Sequence, residues 1–170
     1  MFKIIYIFIL TFTLTPFISA KEPNLVFLQS VISNELQKYS IGKYNFICHP
    51  YGVITVDRLY KKSTFNSTCK KSVEQFYKKN PQAKYFSLNK LKVKQMYHVE
   101  FIDKQCLVFA QGEKTLSELL LENGLAFREP LFEDKEYIYT FEKAQRNARY
   151  QKRGLWSENI IRDCISEIYK

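Results

Sequence analysis

The period of apolar residues changes several times along the chain. Leu25, Leu28, Ile32, Leu36 and Tyr39 recur every three or four positions, the spacing of one helical face. Pro23 suits the first turn of that helix and Gly42 its end. Residues 44–60, YNFICHPYGVITVDRLY, carry two β-rich runs, with His49-Pro50-Tyr51-Gly52 as the bend between them. STCKKSVEQFYKKNP returns to helical spacing. Ser67 can cap it, Val73 and Phe76-Tyr77 form its apolar face, and Pro81 stops it. In LKVKQMYHVEFI, Leu91, Val93, Tyr97, Val99 and Phe101 alternate with polar residues, as in a strand with one buried face. CLVFAQ is a second strand, joined to the first by a hairpin turn at Asp103-Lys104-Gln105.

In GEKTLSELLLENGLAF, Thr115 and Glu118 have capping-box spacing. Leu116, Leu119 and Leu120 face a core, and Gly124 suits a left-handed C-terminal cap. Leu125-Ala126-Phe127 is a short extended exit. The last major helix is expected over about 133–152, with Tyr137, Phe141, Ala144 and Ala148 in one stripe. Gly154 ends it, and Leu155-Trp156 fold back as an apolar plug. Repeats and low-complexity linkers are absent. The pattern predicts one α+β domain at 44–160, preceded by a helical extension at 21–43 and followed by a tail at 161–170.

The first twenty residues stand apart. Lys3 precedes an apolar run from Ile4 to Thr15, and Ile18-Ser19-Ala20 offers a small residue for cleavage. That is the layout of a secretory signal peptide, and the run is short for a bilayer span. The mature chain, 21–170, is expected to be secreted or periplasmic, without a membrane span. Full length carries 26 Lys+Arg and 17 Asp+Glu. Lys3 is the leader's one charge, which leaves 25 bases against 17 acids, a net +8. Such a charge favours polyanions by long-range attraction, without selecting one.

Cys48, Cys69, Cys106 and Cys164 all lie in the exported part. Their even number and the leader point to disulfides, with three connectivities open. CxxC pairs are absent, and His49 and His98 are the two histidines, so zinc has little support. Cys48 and His49 do not suit a catalytic pair, because neighbours on an extended segment point to opposite faces.

Three segments carry a family resemblance. GEKTLSELLLENGLAF resembles an element of the staphylococcal nuclease-like, or thermonuclease-like, family that ends in Gly-Leu-Ala. FEKAQRNARYQKRGLWSE resembles that family's C-terminal helix, in which Glu-x-Ala-x-x-x-Ala is followed by Gly-(Leu/Ile)-Trp. MYHVEFIDKQCLVFAQGEKT fits the strand pair before them. Together they cover roughly residues 91–160. The resemblance implies an OB-fold-type five-stranded β-barrel with packed helices, here with an extra N-terminal helix. The helix bearing Ala144 and Ala148 would pack closely on the barrel.

The family is known for calcium-dependent phosphodiester hydrolysis. Two Asp hold the cation, a Glu handles the water, and two Arg meet the charge that builds on the phosphoryl group. The resemblance implies places for them: an Asp-Gly-Asp-Thr-like turn, a stretch Arg-Leu-x-x-x-Asp-x-Pro-Glu, and Tyr-Gly-Arg. This sequence departs at each. It has no Asp-Gly-Asp. Arg58-Leu59 fits the opening of the second stretch, but Ser63 and Asn66 then fall where acids belong. Gln105 occupies the second Arg place and lacks the charge and the fork of donors. Arg58 is the one catalytic-type residue carried over. Glu100 and Asp103 are cation ligands by residue type alone, and turn chemistry explains Asp103. No cofactor or resident metal is expected, calcium entering only if the chain is an active nuclease.

Lys61, Lys62, Lys70, Lys71 and Lys92 interleave with aromatic residues such as Tyr85. Cations for phosphates and rings for bases are the mixture that holds single-stranded nucleic acid, and OB barrels often use it. Asn66-Ser67-Thr68 also fits a glycosylation sequon. The expected function is that of an exported module binding single-stranded nucleic acid, another polyanion or an envelope protein. An active secreted calcium-dependent nuclease and a purely protein-binding barrel are the alternatives.

Overall fold

The computed structural model describes residues 24–168, so the expected leader lies outside them. In chain order the elements are β1 (Asn24–Val31), β2 (Gln37–Ile41), β3 (Tyr44–Pro50), β4 (Val53–Thr55), α1 (Val56–Lys62), α2 (Thr68–Lys79), α3 (Pro81–Lys84) and α4 (Phe86–Lys90). Then come β5 (Met96–Ile102), β6 (Gln105–Gln111), β7 (Lys114–Thr115), α5 (Leu116–Glu122), β8 (Ala126–Arg128) and α6 (Ile138–Tyr150). A 3-10 turn (Gly154–Trp156), α7 (Ile160–Asp163) and α8 (Ile165–Ile168) finish the described chain.

Five strands close into a barrel. β1 pairs antiparallel with β2 and β5, β2 with β3, and β5 with β6. A short parallel pairing of β3 with β6, His49 opposite Gln105 and Pro50 opposite Cys106, shuts the ring. This is the OB-type barrel with packed helices that the sequence led us to expect. The Cys48–Cys106 disulfide crosses that closing seam, and Cys69–Cys164 ties α2 to the residue after α7. Two disulfides suit an oxidising compartment. Among the described residues no helix is long and apolar enough to cross a membrane.

Residues 24–41 correct one expectation. They form β1 and β2, two staves of the barrel, so the expected N-terminal helix is absent from the described residues. The cause is a register shift between Leu28 and Ser30. Val26 and Leu28 point inward with strand alternation, and the shift then sets the next inward residue, Val31, three places on. An alternation broken in this way copies a helical spacing. Leu25 and Ile32, which the helix would have buried, are more than half exposed at 52% and 56%. Gly42 takes its positive φ in the tight turn between β2 and β3. The barrel unit therefore starts at β1, not at residue 44.

Two smaller differences follow the same logic. The second β-rich run stops at Thr55, whose hydroxyl accepts from the Arg58 N–H, caps α1 and turns Asp57–Tyr60 into helix. The expected tail folds into α7 and α8, with Ile160, Cys164 and Ile168 buried. Helices α2, α5 and α6 form where the pattern put them, but Pro81 opens the short helix α3 instead of ending the helical stretch, α4 was not expected, and the strand expected from Leu91 begins at Met96. Ser67 caps α2 and Thr115 caps α5. The last long helix is α6, shorter than 133–152, with Phe141, Ala144 and Ala148 buried. Leu155 is the buried half of the plug and Trp156 the half-buried one.

Candidate functional site

A small hollow at the barrel mouth is lined by His49, Arg58, Lys104 and Gln105. They come from three stretches of the chain. His49 is the next-to-last residue of β3, Gln105 opens β6, and their pairing in the parallel seam sets them side by side. Lys104 sits in the β5–β6 turn, and α1 delivers Arg58. Behind them lies Glu35, only 5% exposed, in the β1–β2 connection.

The Glu35 carboxylate accepts a hydrogen bond from the Thr55 hydroxyl at 2.7 Å and lies 2.8 Å from His49 Nδ1. Its Oε1 is 3.9 Å from Arg58 Nε. Arg58 Nη1 meets Glu129 at 2.6 Å, just after β8. Gln105 donates to the same Glu129 oxygen at 3.1 Å, and its own oxygen accepts from the Gly52 N–H at 3.0 Å. Two carboxylates thus meet one arginine, one histidine and an amide in a closed set of contacts. A charge-assisted pair at 2.6 Å satisfies a good part of what either partner could offer a ligand.

Asp57, the residue before Arg58 in α1, faces elsewhere. It accepts from the Asn34 N–H at 2.8 Å and from the Tyr77 hydroxyl at 2.5 Å. Burial, reinforced by that carboxylate, pushes the Tyr77 hydroxyl well above its ordinary value. Tyr77 therefore stays a proton donor, and Asp57 is held by it. Among the described residues no three His, Cys, Asp or Glu side chains converge as a metal-binding group.

Asp57 and Tyr77 also form the back of a second hollow, a cleft of about 430 Å³ between α1, α2 and α3. Tyr60 and Tyr85 are its other rings, and Lys78 and Lys84 its cations. Tyr60 donates to Glu74 at 3.1 Å. Lys70 lies 4.9 Å from the Tyr60 ring centroid and 5.7 Å from that of Phe65, which is 83% exposed.

The residues that the sequence singles out fall into separate places. Arg58 and Gln105 come together at the mouth. Lys70 and Tyr85 share the cleft region through Tyr60, with Lys61 and Lys62 at the end of α1 and Lys71 at the start of α2. Lys92 lies apart, between α4 and β5. Asp103 has positive φ in the β5–β6 turn, and Glu100 lies within β5. Glu35, His49, Thr55 and Glu129 join the mouth without any local signal in the sequence to mark them. Glu35 falls in the stretch whose spacing copies a helix, and Glu129 follows a strand of three residues. Chain closure alone brings them together.

No curated protein matches the chain. The family model described as staphylococcal nuclease homologue matches residues 58–158, which run from α1 through the 3-10 turn. With the closed five-stranded barrel, the capped α5 and the α6–Gly-Leu-Trp ending, that match gives the conclusion: the chain belongs to the staphylococcal nuclease homologue family.

Proposed function

We propose that this protein is an exported, non-hydrolytic member of the family that binds single-stranded nucleic acid through the α1–α2–α3 face. The observation that carries the reading is the contrast between two hollows. The mouth is neutralised from within, while the cleft beside it keeps rings and cations exposed.

The mouth's chemistry supports loss of hydrolysis. The family stretch Arg-Leu-x-x-x-Asp-x-Pro-Glu can be laid from His49 to Asp57 as well as from Arg58. In that frame His49 takes the Arg place, Ile54 the Asp place and Asp57 the Glu place. His49 opposite Gln105 is then the pair of Arg places side by side, holding neither Arg. Ile54 is buried and apolar. Asp57 is bound to Tyr77 and Asn34. This donor set does not fit calcium, which wants about six to eight oxygens. The two remaining acids at the mouth, Glu35 and Glu129, already hold His49, Thr55, Arg58 and Gln105. Loss of one donor to a developing oxyanion typically costs about 10²- to 10³-fold in rate, and here several are replaced.

The cleft supports binding. Tyr60 and Tyr85 offer exposed π-faces, and Lys70, Lys78 and Lys84 offer charge for phosphates beside the lining acids Asp57 and Glu74, of which Asp57 is held by Tyr77 and Glu74 by Tyr60. Base–aromatic stacking is worth about 1–3 kcal/mol per base and tolerates any sequence. The leader-like segment and the two disulfides support a secreted or periplasmic location.

The test is incubation of purified 21–170 with labelled single- and double-stranded DNA, with calcium and with chelator. The expected result is no cutting above the chelator control, and single-strand binding that weakens steadily as salt rises. A Tyr60→Ala, Tyr85→Ala double variant should bind about tenfold more weakly or worse. Calcium-dependent cutting abolished by Arg58→Ala would instead establish an active nuclease. Absence of both cutting and binding would turn attention to an envelope protein as partner.

A further inference from the structure

β8, α6 and the C-terminal helices line a hollow of about 520 Å³. Phe127, Pro130, Leu131, Trp156, Ile161 and Ile168 give it apolar walls. Leu131 stands at 89% exposure, an apolar side chain that the fold leaves in water. The hollow runs into a second of about 270 Å³, because Arg128 and Gln145 line both. That second part is basic. Arg128, Arg146 and Arg149 face one acid, Glu142.

The charges are unequally engaged. Arg128 lies 3.5 Å from Glu142 and donates to the Phe132 carbonyl at 2.8 Å. Among the described residues Arg146 and Arg149 have no carboxylate in ion-pair range. Arg149 instead lies over the Trp156 ring, 5.8 Å from its centroid, so the cationic part directly adjoins the apolar part. Arg128 Nε and Trp156 Nε1 are buried donors without an acceptor among the described residues. A buried donor left unpaired costs about 1–3 kcal/mol, so an acceptor reaching either of these two nitrogens would relieve that cost. Apolar walls with a few convergent polar groups, in this size range, are the usual make-up of a small-ligand site.

We propose that this two-part hollow binds a single-chain amphiphilic anion, its alkyl chain in the Phe127–Trp156–Ile161 basin and its head group on Arg146 and Arg149. Charge complementarity fixes the polarity of the ligand: the apolar basin opens onto a net positive end. An alkyl carboxylate and an alkyl phosphate share that chemistry.

Trp156 is the chain's one tryptophan, so it reports on its own pocket. The experiment is a titration of full 21–170 with dodecanoate and with dodecyl phosphate, following tryptophan fluorescence. Dodecanol and dodecyltrimethylammonium serve as neutral and cationic controls, all below their micelle concentrations. The expected result is a saturable blue shift with one or both anions, at least tenfold weaker with either control. An Arg146→Gln variant, changed at an exposed residue, should raise the anion's Kd about fivefold or more and leave binding of the alcohol unchanged. Carboxylate and phosphate head groups are told apart by which anion binds more tightly. No saturable shift with either anion, or equal binding of all four amphiphiles, would overturn the proposal. Calorimetry on the same samples guards against a bound chain that leaves Trp156 spectrally silent.

Discussion

Two glycines show how a single residue fixes the helical layer. Gly124 follows α5, Gly154 follows α6, and both have positive φ. They also face each other: the Leu155 N–H donates to the Gly124 carbonyl at 2.8 Å. A Cβ on Gly124 would run into the Arg153 carbonyl, and one on Gly154 into the carbonyls of Asn123 and Gly124. Backbone on both sides cannot step aside as a flexible side chain would. The left-handed conformation alone costs about 1–2 kcal/mol for a residue with a Cβ. Gly154→Ala is therefore expected to destabilise the protein by more than about 2 kcal/mol, read as a lowered urea midpoint at unchanged slope. The Gly-Leu-Trp signature, conspicuous in the sequence, is thus a packing device between two helix ends. At the mouth the lesson runs the other way. Arg58-Leu59 copies the family's letters, yet the residue paired opposite Gln105 is His49, nine places earlier in the chain.

Elements whose signals are local were legible. The caps Ser67 and Thr115, the Ala144–Ala148 stripe of α6 and the β5–β6 hairpin need only neighbours in sequence to be seen. Those shaped by distant partners were not. β1 was disguised by its register shift, and α7–α8 read as a tail because what orders them is Cys69, far back in α2. That disulfide spans 95 residues, and ring closure of such length is worth about 4–5 kcal/mol in the chain-entropy account. Replacing both Cys69 and Cys164 by Ala is expected to cost about 2–5 kcal/mol. Hydrogen exchange should show the loss concentrated in α7, α8 and their contacts with α2, with the barrel strands still protected. Uniform loss of protection would mean that the helical layer and barrel unfold as one unit.

The whole molecule carries a response to alkali. Burial pushes the hydroxyls of Tyr39 and Tyr77 far above the ordinary value of 10.0. Below pH 10 both states keep these protons, and the two groups add no pH dependence. Above it the unfolded chain releases them and the folded one does not, so stability falls as pH rises towards the folded values. Each group should contribute a slope of about 1.4 kcal/mol per pH unit in that window. Urea midpoints measured between about pH 8 and pH 11.5 should be level and then drop. Tyr77→Phe should remove one group's share of the slope. An unchanged slope in that variant would show that Tyr77 ionises freely in the folded state.

The barrel can be thought of as a rolled sheet with one thin join. Four of its edges are full antiparallel ladders, while the fifth has two residue pairs and the Cys48–Cys106 bridge. His49 and Gln105 sit on that join, so the shape of the mouth is inherited from a covalent stitch rather than from the body of the sheet. A chain with reduced thiols could assemble most of its walls and still lack a finished opening. Oxidation of that cysteine pair is then the act that completes the mouth as well as one that stabilises the fold.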